Sequence, residues 1–322
     1  MDLDIDVLNI ELTTVCNVHC FACARTVHPT KIEPNNIDIN LLINFLDKES
    51  LKNIKTFQVC GNSGDPIFHP KLKKFLKHVV LNRCQEKSIL EIQTNGSIHN
   101  ETWWKDLAKI LEKKDKVIFA IDGLEDTHKR HRQTDFKTVL RNMSAFINAG
   151  GSAIWQYVMF DYNEHQVEEA YELAKNIGVT KFTVMPTNYC DSEHGFPSEE
   201  AIKKYATQFK PKYNQKDDKF KNIGWRNRCY LASGRLYINS YGYVSPCNFI
   251  CGYEKFPSHR HFWPDLNLYF DFLKYSSDLH ISKNTFMSVK NHEFFHKIIK
   301  NVKNHVICNR MCDSKTFMDY DL

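Results

Sequence analysis

The sequence predicts an α/β protein: a partial (β/α)6 barrel followed by a small domain built on a β-hairpin and a helix. Three observations lead there. Up to about residue 186, six short apolar runs alternate with helix-like segments. Further on, GRLYINSYGYVSPC reads as two alternating runs around a Tyr241–Gly242 turn. The eleven cysteines are unevenly spread, three near the front and five in the last third. Strands that alternate with helices pair in parallel through right-handed crossovers. An open doubly wound sheet meets the same pattern.

The strands are expected at Val7–Thr13, Thr56–Cys60, Ile89–Thr94, Val117–Ile121, Ile154–Met159 and Phe182–Met185. Helical patterns fill the gaps at Ile39–Lys48, Lys71–Leu81, Glu101–Glu112, Lys137–Ala149 and Glu164–Ile177. The last has a start and a stop: Asn163 as N-cap with Gln166 three residues on, and Gly178 just past the end. A polar, lysine-rich stretch with a helix at Glu199–Phe209 then connects to the hairpin, and a final helix is expected at His292–Val302. The domain division is therefore 1–197 for the barrel, 198–228 for the connecting helix and linker, and 229–322 for the cysteine-bearing tail.

Composition narrows the function. Hydrophobic content of 42% and charge of 25% are ordinary for a globular chain of 322 residues. The net charge of +5 is diffuse, with no basic block to suit nucleic acid. The acidic start MDLDIDVLNIEL is no signal peptide, and no apolar run approaches the ~20 residues of a membrane span. A cytoplasmic protein is expected. In a reducing compartment eleven cysteines point to metal or catalytic roles rather than disulfides.

Cys16, Cys20 and Cys23 stand in CNVHCFAC, on the loop after the first strand. In parallel α/β architectures reactive groups sit on such loops, at the C-terminal strand ends. A structural zinc site wants four ligands, which His19 could complete. Three thiolates also suit a [4Fe–4S] cluster with one iron left open.

C-x3-C-x2-C behind a first strand resembles the radical S-adenosylmethionine (radical SAM) superfamily. Three further stretches, each behind a strand, extend the likeness. GNSGDP at 61–66 is similar to the family's Gly-Gly-Glu-Pro segment, whose backbone binds the amino group of SAM, with Gly64, Asp65 and Pro66 matching and Asp in place of Glu. QTNGS at 93–97 resembles its Thr-Asn-Gly turn and contributes Asn95. AIDGLEDTHKRHR at 120–132 is similar to its Ser-x-Asp-Gly stretch, matching Asp122 and giving Arg132 to the SAM carboxylate. Two positions depart: Ala22 stands where the family often has an aromatic, with Phe21 one earlier, and Ala120 where it often has Ser. The resemblance implies a cluster whose open iron SAM chelates. Its one-electron reduction of the sulfonium would release a 5′-deoxyadenosyl radical.

In the tail, Cys229, Gly242 and Cys247 are similar in spacing to the opening of the family's SPASM and twitch extensions, and Cys308 and Cys312 to the closing pair. The full SPASM pattern needs more cysteines than this tail has, so a twitch-type domain with one auxiliary [4Fe–4S] cluster is the better match. Cys251 could replace one of its four ligands, and a zinc ribbon is the alternative. An auxiliary cluster can accept an electron from a substrate radical, which argues for oxidation.

Cys190, just after the sixth strand, could return a hydrogen atom to a substrate radical. Asp191, Glu193 and His194 beside it could accept a proton. A packing role for Cys190 is the plainer reading, as it is for Cys60 and Cys84. The expectation is a radical SAM oxidoreductase, served by a flavodoxin- or ferredoxin-type donor. A first strand at Val7 leaves no room for an N-terminal leader-binding domain, which favours a small polar molecule, or a peptide delivered by a separate protein. Peptide maturation and a non-catalytic, metal-stapled binding protein are the alternatives.

Overall fold

Strand order settles which α/β architecture the chain adopts. The computed structural model describes residues 3–21, 23–27, 32–187, 191, 193–206, 234–248 and 272–301. Its strands are β1 (Val7–Ile10), β2 (Thr56–Val59), β3 (Ile89–Thr94), β4 (Lys116–Ala120), β5 (Ala153–Met159), β6 (Lys181–Pro186), β7 (Arg235–Ile238) and β8 (Val244–Ser245). They form one sheet in the order β6-β5-β4-β3-β2-β1-β7-β8. From β1 to β6 the order never reverses and every pair is parallel. Right-handed crossovers that always step the same way put all helices on one face. That is the winding of a partial barrel, and the doubly wound alternative, which needs a reversal, is set aside.

The helices between the strands are α1 (Ala24–Val27), α2 (Ile39–Phe45), α3 (Lys48–Leu51), α4 (Leu72–Asn82), α5 (Glu101–Ile110), α6 (His128–Arg132), α7 (Phe136–Asn148) and α8 (Val167–Asn176). After them come α9 (Glu199–Ala201), continued by a π-helical turn at Ile202–Ala206, α10 (Phe286–Lys290) and α11 (Glu293–Asn301). Leu8, Ile10, Phe57, Val59, Leu90, Ile92, Val117, Phe119, Trp155 and Tyr157 alternate along the strands and are buried. They form the core with Phe75, Leu76, Trp104, Leu107 and Phe146 of the helices.

Three local differences from the sequence reading have physical causes. The helix expected at Ile39–Lys48 stops at Phe45, because Leu46 leaves helical geometry and the Asp47 side chain caps a second helix by accepting from Ser50 N–H at 2.8 Å. Asn163 does not cap α8. Its side chain instead folds back on β5, accepting from Phe160 N–H and donating to the Val158 carbonyl. The hairpin forms, β7 against β8 antiparallel, yet β7 also pairs with β1 in parallel register. The barrel sheet thus runs on into the segment expected to stand apart.

Candidate active site

The site is assembled from the loops at the C-terminal strand ends. After β1 the chain turns twice: Cys23 N–H donates to the Cys20 carbonyl at 3.0 Å, and Thr26 N–H to that of Cys23 at 2.8 Å. These turns gather Cys16, Cys20 and Cys23 on the wall of a cavity of about 390 Å³. Gly64, Asp65, Asn95 and Arg132 line the same cavity. So do Cys60, Asn62, Ala120, His131 and Phe160.

The loop after β2 can approach the cysteine loop because residue 64 has no side chain. A Cβ on Gly64 would stand 2.0 Å from the Thr13 carbonyl oxygen. Asp65 then locks this loop to the one after β3. Its buried carboxylate accepts from Asn95 N–H at 2.6 Å, Thr94 Oγ1 at 3.1 Å and Ile67 N–H at 3.2 Å. The Asn95–Gly96 turn needs glycine, at φ +69°. Asn95 Nδ2 lies 3.6 Å from Cys16 Sγ.

Asp122 organises the opposite wall. It is fully buried, and burial alone would raise its pKa. Arg132 and His131, with the Val158 N–H at 2.6 Å, hold it well below the usual carboxylate range instead. Arg132 meets Asp122 through Nε, which leaves its NH1 3.9 Å from Cys20 Sγ. His131 Nδ1 is 2.7 Å from the same carboxylate oxygen. Behind them His128 Nδ1 accepts from Asp122 N–H at 3.2 Å, so its Nε2 carries the proton and donates to Thr134 Oγ1 at 2.8 Å. Burial presses the His128 pKa down to about 4. It pushes the Cys20 thiol up to about 11, against the pull of Arg132, so metal binding there has to displace a proton.

These residues fit the cofactors that the sequence pattern implies. Among the described residues no three His, Cys, Asp or Glu side chains converge on a single point as a mononuclear cage would require. An iron–sulfur cube asks for something else, since each thiolate binds a different iron and the sulfurs stand around a space. Cys16, Cys20 and Cys23 edge such a space, with a guanidinium beside it to offset anionic charge.

The other candidates lie elsewhere. Asp191 is exposed and accepts from the backbone N–H groups of Glu193 and His194 and from His194 Nδ1, each at 2.8 Å. His194 stacks on Phe21 at 3.9 Å between ring centroids and does not line the cavity. Its ring braces the loop between Cys20 and Cys23. His19 is exposed, and its carbonyl accepts from Gln133. Cys247 is half-buried beside the core. Cys190, Cys229, Cys251, Cys308 and Cys312 lie outside the described residues. Sequence reasoning passed over Phe160 on the cavity wall and Glu11 behind it, and read Cys60, which also lines the cavity, as a packing thiol. For Glu11 there was a signal: a carboxylate interrupting an apolar strand.

The model of the Radical SAM superfamily matches residues 10–174. No curated protein sequence matches the chain. Among solved structures, Streptococcus suis SuiB bound to S-adenosylmethionine superposes with a TM-score of 0.58 at 15% identity, over 79% of this chain and 63% of that one. The chain thus spans somewhat less than two thirds of that SuiB chain. SuiB is also solved bound to precursor peptide SuiA. Native anSMEcpe with bound AdoMet gives 0.59 at 16% identity, over 95% and 87% of the two chains; it is also solved with a Cp18Cys peptide. BtrN in complex with AdoMet and 2-DOIA gives 0.50 at 13% identity, over 98% and 94%. At these identities the likeness is one of fold. The family model, which covers just over half of the chain, carries the assignment: the protein belongs to the radical SAM superfamily.

Proposed function

We propose that the chain is a radical SAM oxidoreductase acting on a small polar molecule. Family membership implies a [4Fe–4S] cluster and SAM, which together supply a 5′-deoxyadenosyl radical able to remove a hydrogen atom from a substrate. The observation that carries the reading is the single cavity onto which Cys16, Cys20, Cys23, Gly64, Asp65, Asn95 and Arg132 all open. In this reading the three cysteines hold the cluster and the 61–66 loop receives the SAM amino group. Asn95 stands at the edge of that pocket. Asp122 fixes Arg132 through one edge, which would leave the rest of the guanidinium to hold the SAM carboxylate.

The inner face of the sheet supports this choice of substrate class. Parallel strands covered on both faces are apolar on both. Here Asn9, Gln58, Glu91, Gln93 and Gln156, which alternate with the core residues, are polar and half-buried. Gln58 donates to Glu91 at 3.1 Å, and the Cys60 thiol to Asn9 Oδ1 at 3.5 Å. Such a face suits a substrate rich in hydrogen-bonding groups. Oxidation rests on an auxiliary [4Fe–4S] cluster held by Cys229, Cys247, Cys308 and Cys312, as electron acceptor. A flavodoxin or ferredoxin would supply the first electron, and Cys190 and Asp191 remain the candidates for hydrogen return and proton acceptance. Peptide maturation is the second reading, favoured by the peptides bound to SuiB and anSMEcpe.

Anaerobic reconstitution tests this. About eight irons and eight sulfides per chain are expected, falling to about four of each in a Cys16/Cys20/Cys23→Ala variant. About four in the unmodified protein would remove the auxiliary cluster and with it the argument for oxidation.

A further inference from the structure

The apolar first strand runs into a charge. Glu11 directly follows β1 and is only 4% exposed, flanked by buried Ile10 and Leu12. A buried carboxylate is costly unless a cation or several donors answer it. Among the described residues no cation does. Burial raises the Glu11 pKa, and only hydrogen-bond donors pull it back, the Tyr237 hydroxyl first among them.

Those donors come from different parts of the fold. Tyr237, on β7, donates its hydroxyl to Glu11 Oε2 at 2.7 Å. The Ser63 N–H donates to Oε1, also at 2.7 Å. Glu11's own N–H donates to the Ile238 carbonyl at 2.8 Å. One side chain therefore ties β1, the 61–64 loop and β7 together. The fit is close, since a Cβ on Gly61 would stand 3.1 Å from Glu11 Oε1 and 2.4 Å from the Gly64 carbonyl oxygen. The connection continues outward: Asn248 Nδ2 donates to Asn62 Oδ1 at 3.0 Å, and Asn248 directly follows Cys247.

We infer that Glu11 and Tyr237 are positioning residues that hold the 61–64 loop in the shape that receives SAM, and that they make this loop depend on the C-terminal strand. The inference rests on the radical SAM reading of the cavity. An acid placed for stability alone would be cheaper as an apolar residue. At this place one oxygen holds the backbone of the loop that edges the pocket, and the other holds the Tyr237 hydroxyl of β7. The loop's geometry then follows β7, so a disturbance around Cys247 reaches the SAM pocket through Asn62.

The test is the initial rate of 5′-deoxyadenosine formation against SAM concentration, with dithionite as reductant. It compares reconstituted full-length protein with its Glu11→Gln and Tyr237→Phe variants. Glutamine keeps the size but turns an amide donor toward one of the two existing donors. Phenylalanine removes a single hydroxyl. The KM for SAM should rise roughly two- to tenfold in each, the size of one net hydrogen bond, with Glu11→Gln the larger effect. Iron content and kcat should stay within about twofold, a split that a general loss of folded protein would not give. If Glu11→Gln fails to fold, Tyr237→Phe decides. Unchanged KM values, in a protein whose unmodified form cleaves SAM, overturn the inference alone. No 5′-deoxyadenosine from the unmodified protein overturns the reading of the cavity and the inference with it.

Discussion

Strand β4 carries a buried aspartate at each end, and each is paired with an arginine, but the two pairs are built differently. Asp115, just before the strand, meets Arg83 in two parallel bonds of 2.6 and 2.8 Å. Arg83 also reaches Glu112 at 2.8 Å, and Asp115 accepts the Leu90 and Glu112 N–H groups, each at 2.9 Å. Both side chains are fully buried, so this pair is closed. Asp122, two residues past the strand, is buried as deeply, yet Arg132 engages it through one edge and stays 17% exposed on the cavity. The closed pair sits at the N-terminal strand ends, where a barrel keeps its stability. The open pair sits at the C-terminal ends, where a barrel keeps its chemistry. An ion pair sealed from solvent on both sides holds the fold, whereas one that keeps donors on a cavity is available to a ligand.

That contrast can be broken most forcefully at the closed end. Arg83→Ala would strand Asp115 without its cation and should lower the unfolding free energy by about 3–5 kcal/mol. The KM for SAM of the protein that remains folded should not move. Urea unfolding alongside SAM titration checks both, and a loss under about 1 kcal/mol would mean that the pair contributes far less than its geometry implies.

Acid should act on the open end. His128 is buried as the neutral base beside Asp122, with a folded pKa of about 4 against an ordinary value of 6.5. The unfolded chain therefore binds the extra proton first. Stability is full above pH 6.5 and is lost as the pH falls from there towards 4, by about 3 kcal/mol from this group. Carboxylates titrate near the lower limit too, so the comparison is with His128→Gln. Its urea midpoint should fall less between pH 7 and 4.5, and equal slopes would remove His128 from the account.

The smallest effect sharpens the contrast from outside. Lys105 and Glu101 form an exposed pair on α5, at 3.4 Å with about half of each side chain in solvent. Lys105→Ala should change stability by no more than about 0.5 kcal/mol by urea unfolding. A larger change would show that distance rather than burial governs these pairs.

How much of this was readable in the chain depends on how local its cause is. β3 is found to the residue because Ile89–Thr94 alternates cleanly and turn residues bound it. The cysteine loop and the 61–66 and 93–97 turns could be read because each lies in the loop that follows its strand, and Arg132 because it closes the stretch that begins at the end of β4. What stayed hidden is long-range. A hairpin shows in GRLYINSYGYVSPC, but nothing local says that its first strand lies against β1, more than two hundred residues earlier. Cys60 looked like one more packing thiol until the sheet brought it to the cavity wall. Asn163 has a cap's spacing, but the buried carbonyl of Val158 and N–H of Phe160 claim its side chain first.

The central claim is that the free edge of Arg132 serves SAM, and Arg132→Lys tests it most directly. Lysine keeps a cation beside Asp122 but loses the planar fork. Rates of 5′-deoxyadenosine formation by the reconstituted variant, measured against SAM concentration, should show a KM raised about ten- to hundredfold with iron and sulfide content intact. An unchanged KM with an intact cluster would contradict the account, because both arginines paired with the aspartates that flank β4 would then be structural.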